Sequence, residues 1–362
     1  MAEPVAWLKA GPENSGMATS ADPRSAGLTI IIVNWNGGEK LLRCLRSIRA
    51  SRTSFPVKVI VVDNDSRDGS REQAASEFSE FQVINTGTNL GFGRGNNFAR
   101  PWVDTPLVLF LNPDTELFND TLEQAVHSLL SRPQVGMLGC QMLDPDGAVQ
   151  ALGLQWFPTP LRVLVEMLIP EAFRRSWLCR WLPVHDPKMS GVVHKLYGGF
   201  LLVRKPVLDA AGWFDERYFM YAEDVDLSRT IRDLGWQLYY DTDCAIVHTC
   251  GGSSEHAPSE FSILMKQHSV NQLIAKHQGP FAACWHRVVV GLAAGLRLVG
   301  LTLASTFNRV SGLRGRKLDN QRKFSWLLWQ WARGQRAAPI PERPVSGDPS
   351  SLAKGIASTP TR

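Results

Sequence analysis

Residues 28–63, LTIIIVNWNGGEKLLRCLRSIRASRTSFPVKVIVVD, decide the fold. Leu28–Asn34 and Val57–Asp63 are short, β-branched apolar runs that each end in a polar cluster, the pattern of strands. Lys40–Ala50 between them has helical spacing. Strand, crossover helix and strand form the repeating unit of a mainly parallel α/β sheet. The same alternation continues outward. Phe81–Asn85 and Leu107–Asn112 (LVLFLN) are expected strands, and Ser70–Phe78 and Thr121–Leu130 expected helices, the last capped by Asn119 or Asp120. Further on, Gly198–Arg204, Trp236–Tyr240 and Ala245–His248 read as strands, and Val207–Ala211 and Leu227–Leu234 as helices. Asp144–Gly147 is a turn, Phe157–Pro187 is rich in Pro and Trp without a clear period, and no internal repeat is present.

The chain has 362 residues, 44% hydrophobic and 20% charged, enough to bury a large core and unlike a disordered or disulfide-stapled chain. Its formal charge of +5 is a local property. The stretch from Arg309 to Arg336 carries +7, leaving the remainder near −2. Cys44, Cys140, Cys179, Cys244, Cys250 and Cys284 form no C-x-x-C pair and are expected to be reduced. Residues 1–27, rich in Ala, Pro, Gly and Ser without an apolar core, read as a flexible leader, and 333–362 as a disordered tail.

In an open α/β sheet ligands gather past the C-terminal ends of the strands. Four polar clusters fall there: Asn34-Trp35-Asn36, Asp63-Asn64-Asp65-Ser66, Asn89–Asn97 and Asn112-Pro113-Asp114. Asp63 can accept hydrogen bonds from a base or a ribose, or cap the next helix. Gly91, Gly93 and Gly95 can admit a ligand close to the backbone, or simply form a tight turn. A nicotinamide site is disfavoured, because G-F-G-R-G stands two strands later than the dinucleotide fingerprint requires. Asp114 can hold a divalent cation whose shell a diphosphate completes, provided a second ligand such as His248 meets it; Asn-Pro-Asp is also a common turn. The densest cluster is Phe214–Asp226 (FDERYFMYAEDVD). There Glu223, Asp224 and Asp226 are expected just ahead of a helix, at its positive end, where one of them can take a proton from a hydroxyl.

In this order the motifs TIIIVNWNGGEKLLRCLRSI, VVDNDSRDGS, NLGFGRGNN, LFLNPDTE, GGFLLVRKPVLDAAGWFDERYFMYAEDVDLSRTIRDLGW and VHTCGGS resemble the family 2 glycosyltransferases of the GT-A fold, particularly rhamnosyltransferase-like members, over about Leu28 to Ser254. The resemblance implies a Rossmann-like, mostly parallel mixed sheet with helices on both faces, in a catalytic domain of residues 28–255. It implies that Asn34, Asn36, Asp63, Asn89, Gly91, Arg94, Asn97, Asn112 and Asp114 bind the nucleotide-sugar and that Asp114 and His248 bind Mg²⁺ or Mn²⁺. The family's acidic motif here reads Asn112-Pro113-Asp114, without its first aspartate. By the same resemblance Asp224, beside Glu223, is the general base, and Gly198, Gly199 and Asp226 bind the acceptor. The implied reaction is an inverting displacement. Its donor would be dTDP-L-rhamnose, with UDP- or GDP-hexoses as alternatives, and its acceptor a polyprenyl-diphosphate-linked saccharide.

Residues 256–332 differ in character. Val288–Phe307 is apolar but interrupted by Arg297, and the basic stretch and Phe324–Trp331 (FSWLLWQW) follow. A charge at a bilayer centre costs about 2.5–3.5 kcal/mol, which favours a helix lying in the membrane interface over one that spans it. The alternative is a helical hairpin packed on the catalytic domain. Basic residues flanking apolar and Trp-rich segments fit the cytoplasmic face of a cell membrane better than a nucleic acid.

Overall fold

The computed structural model describes residues 27–151, 155–168, 185–249, 260–310 and 316–334. Almost all of the expected leader, nearly all of the expected tail, Cys179 and Cys250 lie outside them. One nine-stranded sheet organises the chain. Strand β1 (Leu28–Asn34) lies between β2 (Val57–Asp63) and β4 (Leu107–Leu111), parallel to both, and β3 (Gln82–Asn85) extends this parallel half beyond β2. Past β4 the sheet becomes mixed. Strand β8 (Phe200–Arg204) runs antiparallel to β4 and to β6 (Val135–Leu143), and β9 (Gln237–His248) runs parallel to β6. Strands β5 (Thr115–Leu117) and β7 (Gly191–Val193) pair antiparallel with β9. Parallel pairing therefore dominates only the first half of the sheet.

The unbroken apolar runs are explained by burial on both faces. In β1, Ile30 and Ile32 pack with Leu41 and Leu45 of α1 (Gly38–Ala50), Phe78 just past α2 (Ser70–Glu77), and Val126 of α4 (Thr121–Leu130). Ile31 and Val33 point the other way, toward Phe98 of α3 (Phe92–Phe98), Leu208 of α6 (Lys205–Ala211), and Leu227 and Ile231 of α7 (Glu223–Asp233). Asp120 precedes α4 but makes no capping bond; its Oδ2 accepts from Gln124 Nε2 at 2.7 Å.

Several elements depart from expectation. The two late strands are one, β9, with a bulge where its register against β6 jumps from Asp241 to Ala245. Strand β6 has no alternation to betray it, because Gly136 and Gly139 lie beneath Trp236 and Leu196; a Cβ on either would come within 2.8 and 2.7 Å of those side chains. Helix α3, FGRGNNF, is built from residues of low helix propensity. Its Gly95 faces Val33, where a Cβ would approach Cγ1 to 2.9 Å. Helix α7 begins at Glu223 itself, so the three acids occupy its first turn and do not precede it.

The C-terminal region is a third, helical layer of α5 (Pro160–Leu168), α8 (Glu260–Gln278), α9 (Pro280–Val310) and α10 (Arg316–Ala332). Ile263, Leu264, Val290, Ala294, Leu328 and Trp331 form its core. Contacts on both the apolar and the charged side join it to the sheet-bearing part of the chain. Leu273 packs with Tyr218, Ala222 and Val225, and Asp226, 2% exposed, accepts from Lys276 Nζ and His277 Nε2, each at 2.7 Å. Removing one partner of a buried ion pair costs about 3–5 kcal/mol. Lys276 Nζ also donates to Asp215 Oδ2 at 2.7 Å, so Lys276→Met should lower the melting temperature sharply in a thermal unfolding scan, and adding Asp226→Asn should recover only part of the loss.

Candidate active site

A cleft of about 860 Å³ opens between the C-terminal edge of the sheet and the helical layer. The sheet side contributes Trp35, Asn36 and Lys40 after β1, Asn112-Pro113-Asp114 after β4, and His248 at the end of β9. Strand pairing brings the last two segments together. Thr115 lies opposite His248 across the β5–β9 ladder, and Thr249 N–H donates to the Asp114 carbonyl at 2.9 Å. Asp114 Oδ1 consequently sits 3.4 Å from His248 Nε2. On the other ring nitrogen, Nδ1 is 3.1 Å from Gln150 Oε1, while Gln150 Nε2 donates to the His248 carbonyl and to Asp144 Oδ1. A carboxylate and an imidazole on an open cleft suit a divalent cation whose remaining positions a diphosphate and water fill. Among the described residues no third acidic, His or Cys ligand joins them.

The acids enter the cleft on a strained turn. Tyr221 and Ala222 both have left-handed backbone, φ +69° and +67°, immediately before α7. Such residues cost about 1–3 kcal/mol each and persist only where their surroundings hold them. Here Ser269 Oγ of α8 donates to the Met220 carbonyl at 2.7 Å, and Phe92 N–H of α3 donates to the Phe219 carbonyl at 2.8 Å. Asp224 then receives Gly198 N–H on Oδ2 at 3.0 Å and Val225 N–H on Oδ1 at 2.8 Å. Its neighbour is treated differently: Glu223 Oε2 is buried without a partner among the described residues. Burial, and then the Asp224 charge, push Glu223 up to about 8. Burial thus raises both acids, and at Asp224 the backbone donors and Lys195 work against that rise.

The remaining expected residues divide into two groups. Asn36, Asn112, Gly198 and Gly199 line the cleft. Asn34 and Asp63 are fully buried and turned to one another, Nδ2 to Oδ2 at 2.7 Å; Asn34 also donates to Ser66 and Ser70, and Asp63 Oδ1 accepts Ser66 N–H. They shape the loop behind Asn36 and do not line the cleft. Gly91, at φ +79°, approaches protein: a Cβ there would lie 2.0 Å from the Phe219 carbonyl oxygen. Asn89 Oδ1 accepts Gly91 N–H, Arg94 Nε donates to the Glu216 carbonyl, and Asn97 pairs with the Phe214 backbone through both its Nδ2 and Oδ1. The Asn89–Asn97 segment, expected as a ligand loop, thus braces the loop bearing the acids. Asp226 faces α8, away from the cleft. Sequence reasoning gave no role to Trp35, 54% exposed at the cleft, nor to Lys40, Gln150, Lys195 and Lys266. Trp35 and Lys40 lie inside a quoted motif, whereas Gln150 and Lys266 carry no local signal.

Residues 29–197 match the model of the family described as Glycosyl transferase family 2, so the class that this sheet edge and cleft define is a glycosyltransferase. That segment is a family 2 glycosyltransferase domain, and the chain is similar to rhamnosyltransferases. It is 29% identical over 265 residues to N-acetylglucosaminyl-diphospho-decaprenol L-rhamnosyltransferase of Mycobacterium tuberculosis, covering 70% of this chain and 85% of that one. Rhamnosyltransferase WbbL of Escherichia coli is 26% identical over 219 residues, covering 58% and 79%. Among solved structures, GalNAc-T7 with UDP, GalNAc and Mn²⁺ superimposes with a TM-score of 0.53 at 12% identity, over 87% of this chain and 57% of that chain. The fold is GT-A.

Glu223 gives a stability test whose sign is fixed. Its folded pKa lies above the ordinary carboxyl value, so between about 4.5 and 8 the folded state holds a proton that the unfolded state has lost. Stability from this group is full below that window and falls as pH rises through it. Chemical denaturation of Glu223→Gln should show a gain over the natural chain that is small at pH 4.5 and largest near pH 8.

Proposed function

We propose that the enzyme transfers L-rhamnose from dTDP-L-rhamnose to a hydroxyl of a polyprenyl-diphosphate-linked saccharide, with inversion, in the synthesis of a cell-envelope polysaccharide. The observation that carries the chemistry is Asp224, held at the cleft wall by two backbone N–H donors. It takes the proton of the acceptor hydroxyl as that oxygen attacks the anomeric carbon from the face opposite the leaving diphosphate. Burial and the neighbouring carboxylate raise Glu223 to about 8, which disfavours a second negative charge in the site. Rhamnose is favoured as donor sugar by the two rhamnosyltransferases to which the chain is similar. Asp114 and His248 would hold Mg²⁺ or Mn²⁺, which when bound supplies charge neutralisation for the departing diphosphate. Trp35, Asn36 and Lys40 flank the nucleotide side of the cleft. Residues 28–255 form the catalytic domain in this reading, and 256–332 bring it to the cytoplasmic face of the membrane.

The membrane-facing surface is α9. Phe281, Trp285, Val288, Leu292, Leu296, Val299 and Leu303 are all between 43% and 84% exposed. At about 100° per residue they fall within an arc of about 80°, and at 1.5 Å per residue the stripe is about 33 Å long. Pro280–Leu303 is long and apolar enough to cross a bilayer, with mean hydropathy 1.4. Its opposite face is nevertheless packed on protein: His286 is buried with Nδ1 3.0 Å from Asn271 Oδ1, and Arg287 donates to the Trp331 carbonyl. A helix with one apolar face in protein and another exposed suits a position lying in the interface.

The reading is tested by incubating the enzyme with undecaprenyl-diphospho-GlcNAc, Mg²⁺ and a panel of dTDP-rhamnose, UDP-glucose, UDP-GlcNAc and GDP-mannose. A deoxyhexose addition seen by mass spectrometry only with dTDP-rhamnose is expected; preferential addition from another donor overturns the assignment. Asp224→Asn should lower kcat by about 10²-fold or more while leaving nucleotide affinity intact. In flotation with anionic liposomes, Leu292→Glu combined with Leu296→Glu should shift the protein to the soluble fraction, and unchanged flotation would exclude α9 as the contact.

A further inference from the structure

The cleft runs on past Asp224 toward the helical layer. Gly199 lies beside the His248 ring and Gly198 donates to Asp224, so the backbone passes from the cation side, by the base, to Lys195. Lys195 is only 9% exposed, yet among the described residues its ammonium makes no ion pair and no side-chain hydrogen bond; its recorded contact is the Tyr197 ring, 5.6 Å from Nζ to the centroid. A buried ammonium without an anionic partner is unfavourable. Burial accordingly holds this lysine below its ordinary pKa, opposed by the more distant charges of Glu166 and Asp224. Glu166 itself accepts from Trp156 Nε1 at 2.8 Å. The Lys195 backbone is fixed, because the N–H groups of His194 and Lys195 both donate to Gln155 Oε1.

Across the cleft, Lys266, Val270 and Leu273 fall on one face of α8 at positions i, i+4 and i+7 and line the same space. Gln267 lines it too, with an Oε1 that is buried and has no partner among the described residues. Two cations, one orphaned acceptor and an apolar flank of Val163, Val270 and Leu273 thus lie between the base and the helical layer that carries the exposed stripe.

We propose that Lys195 and Lys266 bind the diphosphate of the lipid-linked acceptor, with Gln267 Oε1 accepting a hydrogen bond from an acceptor hydroxyl. This rests on the lipid-linked acceptor proposed above. The diphosphate joins sugar to lipid, so when a sugar hydroxyl reaches Asp224 and the lipid stays at the membrane, the diphosphate lies between them. A charged oxygen there gives the buried ammonium the partner it lacks.

The test uses the full chain and farnesyl diphosphate, titrated calorimetrically with and without dTDP. The natural chain should bind farnesyl diphosphate. Lys195→Met should weaken that binding about tenfold or more, Lys195→Arg should retain part of it, and both should bind dTDP as the natural chain does. Lys195→Met should also melt no lower than the natural chain, since an unpaired buried charge is replaced by an apolar side chain. Farnesol should bind equally to all three. No farnesyl diphosphate binding by the natural chain, or equal binding by Lys195→Met, overturns the subsite. Loss of dTDP binding instead would assign the lysine to the donor, and a lowered melting temperature with uniformly weakened binding would make it structural. Should the calorimetry hold while dTDP-rhamnose fails as donor, the subsite stands and the donor assignment falls.

Discussion

Two adjacent carboxylates in a desolvated cleft cannot both be ionised at modest cost, and the backbone N–H groups of Gly198 and Val225 favour the charge on Asp224. Both bonds go to Asp224, whereas Glu223 Oε2 has no partner among the described residues. Because the donors are main-chain groups, the choice is built into the position of the Gly198-Gly199 turn and the start of α7. That start depends in turn on the left-handed Tyr221 and Ala222, which Ser269 and Phe92 restrain from opposite sides. The third acid, Asp226, extends the same logic outward: its two partners on α8 tie the first turn of the helix bearing Asp224 to the C-terminal layer.

The parallel half of the sheet was legible because strands buried on both faces leave continuous apolar runs, and Leu28–Asn34 and Val57–Asp63 form as read. Strand β6 was not, since its glycines answer to Trp236 and Leu196, side chains distant in sequence. Helix α3 was hidden for the same reason. Its glycines record close contact with Val33 and the Phe214–Phe219 loop, and a glycine cluster looks alike whether it faces a ligand or another piece of chain. The sequence set Asp114 after one strand and His248 at the end of another but left their meeting conditional; the short β5, which it did not reveal, aligns them against β9. The sequence could not show that Asn34 and Asp63 spend polar atoms on each other, nor that Lys195 sits buried without an ion-pair partner among the described residues. Those facts depend on which side chains share a volume, and local pattern does not encode that.

The helical layer combines the two arrangements the sequence left open. It is packed on the catalytic domain through Leu273 and the Asp226 pair, and it also leaves one face of α9 bare. An attached layer with an apolar outer face holds the cleft at a set height above whatever surface that face meets. The orientation of Asp224 relative to that surface is then a property of the fold and needs no hinge.

The contact of Gly91 with Phe219 has a mechanical consequence. The two backbones touch with no room for even a methyl group, and a hydrogen bond one residue later locks them. Helix α3, which rests on β1, and the loop that presents the acids therefore behave as one rigid body. Substrates cannot be gripped by closing these two segments like jaws, and any conformational response to loading must come from elsewhere on the rim, where Trp35 stands exposed.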